Sequence, residues 1–231
     1  SKCAEQYIAS LRKEGRNSTA HVYKNALSSF TSFCGTIHVS FNQITRECLR
    51  HYGQHLYGCG LKPNTISTYM RMLRSIYNRG VEAGNAPYIP RLFRDVYTGV
   101  DVRQKKALPV GELHKLLYED PGSEQLRRTQ AMAALMFQFC GMPFVDFAYM
   151  EKSALQQNVL HYNRVKTRTP MSIEVLDTAK ELINQLRNKH IPLPGYPDYL
   201  FNVLSGNKKR KEESAYREYQ SALRLFNNRL K

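Results

Sequence analysis

Acidic residues are scarce in this sequence. Only 19 of its 231 residues are Asp or Glu, against 34 Lys and Arg, which leaves a formal charge of +15. That scarcity points to a polyanionic partner, because Lys and Arg that neutralise phosphates also release condensed counterions. A soluble protein that is merely basic remains the alternative at this stage. Paired cysteines are also missing. The five cysteines (Cys3, Cys34, Cys48, Cys59, Cys140) are odd in number and scattered, with no CxxC or Cys/His spacing. This excludes a disulfide framework and a zinc module, and it leads us to expect reduced thiols in a cytoplasmic protein, with Cys140 in the core. No apolar run reaches membrane length and no signal peptide opens the chain, so no membrane partner is expected. No cofactor is expected.

The basic residues are unevenly spread. Residues 1–106 hold 16 Lys and Arg against 6 acids, net +10, while residues 107–231 hold 18 against 13, net +5. The front half is therefore the better candidate for a nucleic-acid surface. Its apolar residues recur at helical spacing in three stretches: 17–33 (Tyr23, Ala26, Leu27, Phe30, Phe33), 44–57 (Ile44, Cys48, Leu49, Tyr52, Leu56) and a third entered at Pro63 (Ile66, Tyr69, Leu73, Ile76, Tyr77). The opposite face of the third stretch carries Thr65, Thr68, Arg71, Ser75 and Arg79, with Arg74 beside them and Lys62 at the entrance. A solvated helix usually alternates charge signs to gain i,i+4 pairs. This one presents donors alone until Glu82, as a DNA groove or backbone requires, with an ordinary basic surface as the alternative. From residue 85 prolines break the periodicity, and the stretch ends on Lys105 and Lys106.

The back half is helical over 110–118 and 123–140. It then meets a joint in FCGMPFVDFAYMEKSAL (139–155), where Gly141 and Pro143 stop one helix and a short one follows over 144–153. An acid, Asp146, stands just inside that joint among Phe144, Val145, Phe147, Ala148 and Tyr149. The period then changes. VLHYNRVKTRTPMSIEV (159–175) alternates as a β-hairpin, with Lys166 and Arg168 near its tip. Helices are expected over 176–189 and from about 212 to 230.

Five stretches, in order, carry a family resemblance: NTISTYMRMLRSIYNRGVEAG, FRDVYTGVD, GMPFVDFAYMEKSAL, VLHYNRVKT and YREYQSALRLFNNRLK. Through them the chain resembles the tyrosine recombinases, or phage-type integrases, most closely those of Bacteroides-type mobile elements. The resemblance implies a mainly α fold. It places a helical core-binding (SAM-like) domain at residues 1–90, a linker at 91–106, and at 107–231 the N-terminal portion of an α+β integrase catalytic domain with a small antiparallel sheet. It implies double-stranded DNA as partner, clamped between the two domains, with a monomer off DNA. In such enzymes a tyrosine attacks the scissile phosphodiester to give a 3′-phosphotyrosine, arginines bind the phosphate, and a hairpin lysine protonates the leaving oxygen.

Carried over by position, Lys166 falls on the general acid and Asp146 on the acid that supports the active site. Lys62, Thr65, Thr68, Arg71, Arg74, Arg79, Lys105, Lys106 and Arg168 are the expected DNA contacts. Pro143 stands where the first phosphate-binding arginine is expected, and Cys140 removes the neighbouring option. Arg127 and Arg128 are the upstream candidates to replace it. HYNR (161–164) spells HxxR on a strand, where it reads as coincidence, and Tyr216 and Tyr219 read as packing residues. The family's HxxR motif and nucleophilic tyrosine are expected beyond the last matching stretch, so the 231 residues are expected to bind DNA without cutting it. A non-catalytic integrase-like regulator is the rival reading.

Overall fold

In a computed structural model of the chain, residues 2–102 and 107–231 are described, and they divide into two compact units that part between residues 105 and 106. Each unit builds its own apolar core.

The first unit is formed by α1 (Lys2–Lys13), α2 (Asn17–Phe33), α3 (Arg46–Gly58) and α4 (Pro63–Glu82). The sequence reading had not drawn α1; it buries Ala4, Ile8 and Leu11, one residue per turn. The other three helices turn their expected stripes inward. Phe30 of α2 meets Tyr52 of α3 edge-on at 5.0 Å, and the Tyr52 hydroxyl donates to Ser29 Oγ at 2.8 Å. Burial pushes the Tyr52 phenol up to about 12, with the Ser29 bond opposing. α4 begins on Pro63, whose missing N–H costs nothing in a first turn. Near its far end Gly80 packs directly on the Phe41 ring: a Cβ there would lie 2.6 Å from Phe41 Cζ.

The segment expected as a linker over 91–106 is packed on this unit as far as residue 101. Leu92 and Phe93 are buried in its core, and the Tyr77 hydroxyl donates to Pro87 O at 2.8 Å. Asn64 of α4 exchanges two hydrogen bonds with the Asp101 backbone, each 2.8 Å. Apolar side chains and a paired amide therefore turn a proline-broken stretch into a strap. Lys105 and Lys106 lie outside the described residues.

The second unit contains α5 (Val110–Tyr118), α6 (Glu124–Gln138), α7 (Phe144–Ala148), α8 (Asp177–Leu186) and α9 (Glu213–Arg229), around a three-stranded antiparallel sheet. Its strands, β1 (Leu155–Gln156), β2 (Val159–Asn163) and β3 (Pro170–Glu174), lie in chain order. The register sets Leu160 opposite Ile173, so those two side chains are buried, while His161 and Ser172 pair on the exposed face at 2.9 Å. Two expected helices are shorter than their apolar patterns. α7 stops at Ala148 because the chain beyond it is drawn into extended pairing: Glu151 bridges Tyr199, and Leu200 N donates to Met150 O at 2.7 Å. α8 stops at Leu186 because Arg187 pairs with Phe201. The core is aromatic at its centre, with Phe147 stacked on Phe201 at 4.1 Å and Phe144 on Phe226 at 4.7 Å.

At the joint between α6 and α7, Cys140 and Gly141 both take left-handed backbone angles, φ 56° and 70°. Cys140 is exposed, which corrects the expectation of a core thiol: the helix has ended at Gln138 and the turn swings the side chain outward.

Candidate nucleic-acid interface

In the first unit the outer face of α4 gathers the expected cations, and the structure shows which donors are already used. Lys62 is exposed at the helix entrance, and Thr65 and Thr68 are half-buried. The Thr68 hydroxyl donates back to Asn64 O at 2.7 Å, and Ser75 Oγ accepts from the Tyr23 hydroxyl at 2.8 Å. Arg79 lies 3.7 Å over the Tyr7 ring and donates to its hydroxyl at 3.1 Å. Burial and the nearby Tyr23 push the Tyr7 phenol up, and Arg79 opposes the rise. Arg71, Arg74, Ser75, Asn78 and Arg79 line a depression of about 290 Å³, in which Glu82 is the one acid. Arg71 Nε is buried there without a partner, and Arg74 is exposed. A neighbouring hollow of about 490 Å³ shares Arg74 and adds Arg91 and Arg94 from the strap. Sequence reading named neither because it took the stretch as a linker; the buried pair Leu92 and Phe93 between them was the signal.

In the second unit the joint and the hairpin come together. Asp146 is 3% exposed, and its Oδ1 accepts from Val165 N, at the start of the hairpin turn, at 2.8 Å. The turn is closed by two backbone bonds, Arg164 N to Thr169 O and Arg168 N to Arg164 O, both 2.9 Å, with Arg168 at φ 61°. Lys166 sits exposed on this turn with no ion-pair partner among the described residues. A cavity of about 330 Å³ at the hairpin is lined by Asp146, Tyr149, Glu151, His161, Tyr162, Arg168 and Arg210, among others. Burial pushes the Tyr162 phenol up; the Asp146 carboxylate adds to the rise and Arg164 opposes it. Arg164, of HYNR, is half-buried on the hairpin with its Nε unpartnered.

The upstream arginines are not brought to this cavity. Arg127 is held by Asp120 at 3.2 Å and Glu124 at 3.6 Å, and Arg128 donates to Asn202 O. Tyr219 packs 5.3 Å from Tyr149 and 6.2 Å from Phe144, and Tyr216 lies 6.4 Å from Tyr219. Among the described residues no helix is long and apolar enough to cross a membrane. Sequence reading also missed Arg210, whose only signal was the basic run KKRK at 208–211.

Residues 1–91 match the family described as the phage integrase SAM-like domain. No curated protein matches the chain. Among solved structures, a lambda integrase dimer bound to a COC′ core site is similar over 98% of this chain and 78% of its own, at 15% identity and a TM-score of 0.60. A lambda integrase tetramer bound to a Holliday junction aligns with 99% of this chain and 63% of its own, at 15% identity and a TM-score of 0.63. The Tn1549 transposon integrase in complex with transposon right end DNA covers 98% and 78%, at 12% identity and 0.59. The chain thus spans between 63% and 78% of the length of these solved chains. By fold it is similar to integrases over nearly its whole length, and over residues 1–91 it matches the phage integrase SAM-like domain.

Proposed function

We propose that this chain binds duplex DNA as part of a site-specific tyrosine recombinase, of the kind carried by Bacteroides-type mobile elements, acting in the cytoplasm. The observation that supports it most is the Asp146–Val165 hydrogen bond, which ties the α6–α7 joint to the turn bearing Lys166. A protein that only coats DNA has no use for a lysine held on so defined a base. In the complete protein a tyrosine oxygen, giving up its phenolic proton to solvent, attacks a backbone phosphorus, forming a P–O bond to tyrosine as the P–O5′ bond breaks. Lys166 gives its ammonium proton to the departing 5′ oxygen. The products are a 3′-phosphotyrosine and a free 5′ hydroxyl. Tyr216 and Tyr219 serve packing, so residues 1–231 alone bind and do not cleave, and off DNA they are monomeric.

Binding is tested by titrating the chain against a short duplex across a salt series. Each phosphate neutralised contributes about −0.9 to the slope of log K against log salt. Affinity that does not change between low and physiological salt would sink the proposal. The chemistry is tested in the complete protein with Lys166→Ala. Cleavage of an ordinary phosphodiester should fall, and a 5′-bridging sulfur should restore it, because a thiolate leaves without a proton. A second reading, an integrase-like regulator without catalysis, is favoured by Pro143, whose ring offers no donor where the first arginine is expected. In that case Lys166→Ala changes no product.

A further inference from the structure

The turn NKKRK at 207–211 plays no part in the reading above, and it is held firmly. Glu218 of α9 accepts from Ser205 N at 2.6 Å and pairs with Lys208 at 2.9 Å, fastening the turn to the helix behind it. So fastened, the turn lays the Arg210 guanidinium 4.9 Å over the Tyr149 ring, at the wall of the cavity at the hairpin. A guanidinium stacked by its face keeps its edge N–H donors free, and a stacked arginine has already given up much of its rotamer freedom. Among the described residues neither Arg210 nor Arg168, on the hairpin turn that lines the same cavity, has a carboxylate partner. The two acids that line the cavity do not serve them: Asp146 is engaged by Val165 N, and the exposed Glu151 forms no ion pair with either arginine. Unspent, pre-oriented fork donors in the same cavity as a second arginine suit bidentate capture of a singly charged oxyanion.

We propose that Arg210 and Arg168 together bind one backbone phosphate of the DNA in this cavity, with Tyr149 as the platform for Arg210. The inference rests on the DNA-binding reading above and names a contact in the second unit. Tyr149 matters here as a surface: its phenol is pushed far up by burial, so it stays neutral beneath the cation.

The test uses the 231-residue chain and a short duplex, with affinity measured across a salt series. Arg210→Ala should weaken binding roughly tenfold at low salt. It should also make the log–log slope shallower by about one. Arg210→Gln, which keeps a planar group on the ring and loses the charge, should lose the same slope. The control is Arg217→Ala, whose guanidinium is exposed and paired with Glu213 at 2.9 Å; its slope should equal wild type. A neutral methylphosphonate moved along the duplex identifies the phosphate as the one linkage whose neutralisation weakens wild type clearly more than it weakens Arg210→Gln, in which Arg168 alone still meets it. A slope unchanged in both Arg210 variants, or an equal loss in Arg217→Ala, overturns the site while the DNA-binding reading stands. A wild-type chain that binds no duplex at any salt removes that reading, and the phosphate site with it.

Discussion

Removing the Asp146 carboxylate is the sharpest perturbation the second unit offers. Its Oδ1 is the partner of Val165 N at 2.8 Å, and the side chain is almost wholly out of solvent. Asp146→Ala therefore deletes a charge-assisted hydrogen bond and leaves a part-buried amide unpaired. Such a loss costs about 1.5–3 kcal/mol. For a unit of this size, 2 kcal/mol lowers the melting midpoint on the order of 8 °C. Asp146→Asn keeps an oxygen at the same place and gives up the charge, so it should lose about half as much. The pair also separates two roles. A carboxylate that merely favoured the start of α7 through the helix dipole would be missed equally in Ala and Asn; a tether on Val165 is missed far more in Ala. The assay is amide exchange at Val165, with thermal unfolding alongside. In Ala the Val165 amide should lose its protection, while in Asn it should keep most of it. An unchanged Val165 exchange rate in Asp146→Ala would refute the reasoning. On the proposed recombinase reading, a loosened turn displaces Lys166, and misplacement of a proton donor by an ångström is enough to cost about a hundredfold in rate.

Two further outcomes follow from the packing. Gly80→Ala places a methyl 2.6 Å from Phe41 Cζ, and that ring is itself braced 5.7 Å from Tyr77. Overpacking of about 1–3 kcal/mol should outweigh the roughly 1 kcal/mol that alanine gains in helix propensity. Urea denaturation of the first unit reads the balance: Phe41→Leu should relieve it, and a stabilised Gly80→Ala would contradict it. Glu218 titrates below the ordinary glutamate range: burial works to raise it, and the Ser205 N–H and Lys208 outweigh burial. Its stabilising share is therefore present above the unfolded glutamate pKa and disappears as pH falls through the lower folded value. Glu218→Gln should flatten the acid limb of the second unit's melting profile; an equally steep limb in the variant would show that the carboxylate does not hold the 205–212 turn.

What the sequence disclosed follows from how local each cause was. The stripes of α2, α3 and α4 and the alternation of β2 and β3 are written in neighbouring residues, and they folded as their periods dictate. The ends of α7 and α8 were not legible, because Tyr199 and Phe201, some 15 to 50 residues away, capture the backbone at Glu151 and Arg187. The β1 strand is two residues long, too short for any period to show. In the site, Asp146 stood out because an acid in an apolar joint is costly, and its tie to Val165 accounts for it. Arg210 did not stand out. Its importance comes from Tyr149 beneath it, and 61 residues separate the two in the chain.

The left-handed pair Cys140–Gly141 has a consequence for how this joint drifts over generations. Backbone angles of this kind are cheap for glycine and tolerable for asparagine, and they are poor for β-branched residues. With the Cys140 side chain pointing into solvent, its sulfur is incidental and its shape is what persists. Descendants should exchange Cys140 for Asn, Gly or Asp and refuse Val, Ile or Thr. A bend conserved in angle while its letters change is one that an eye trained on arginine signatures passes over.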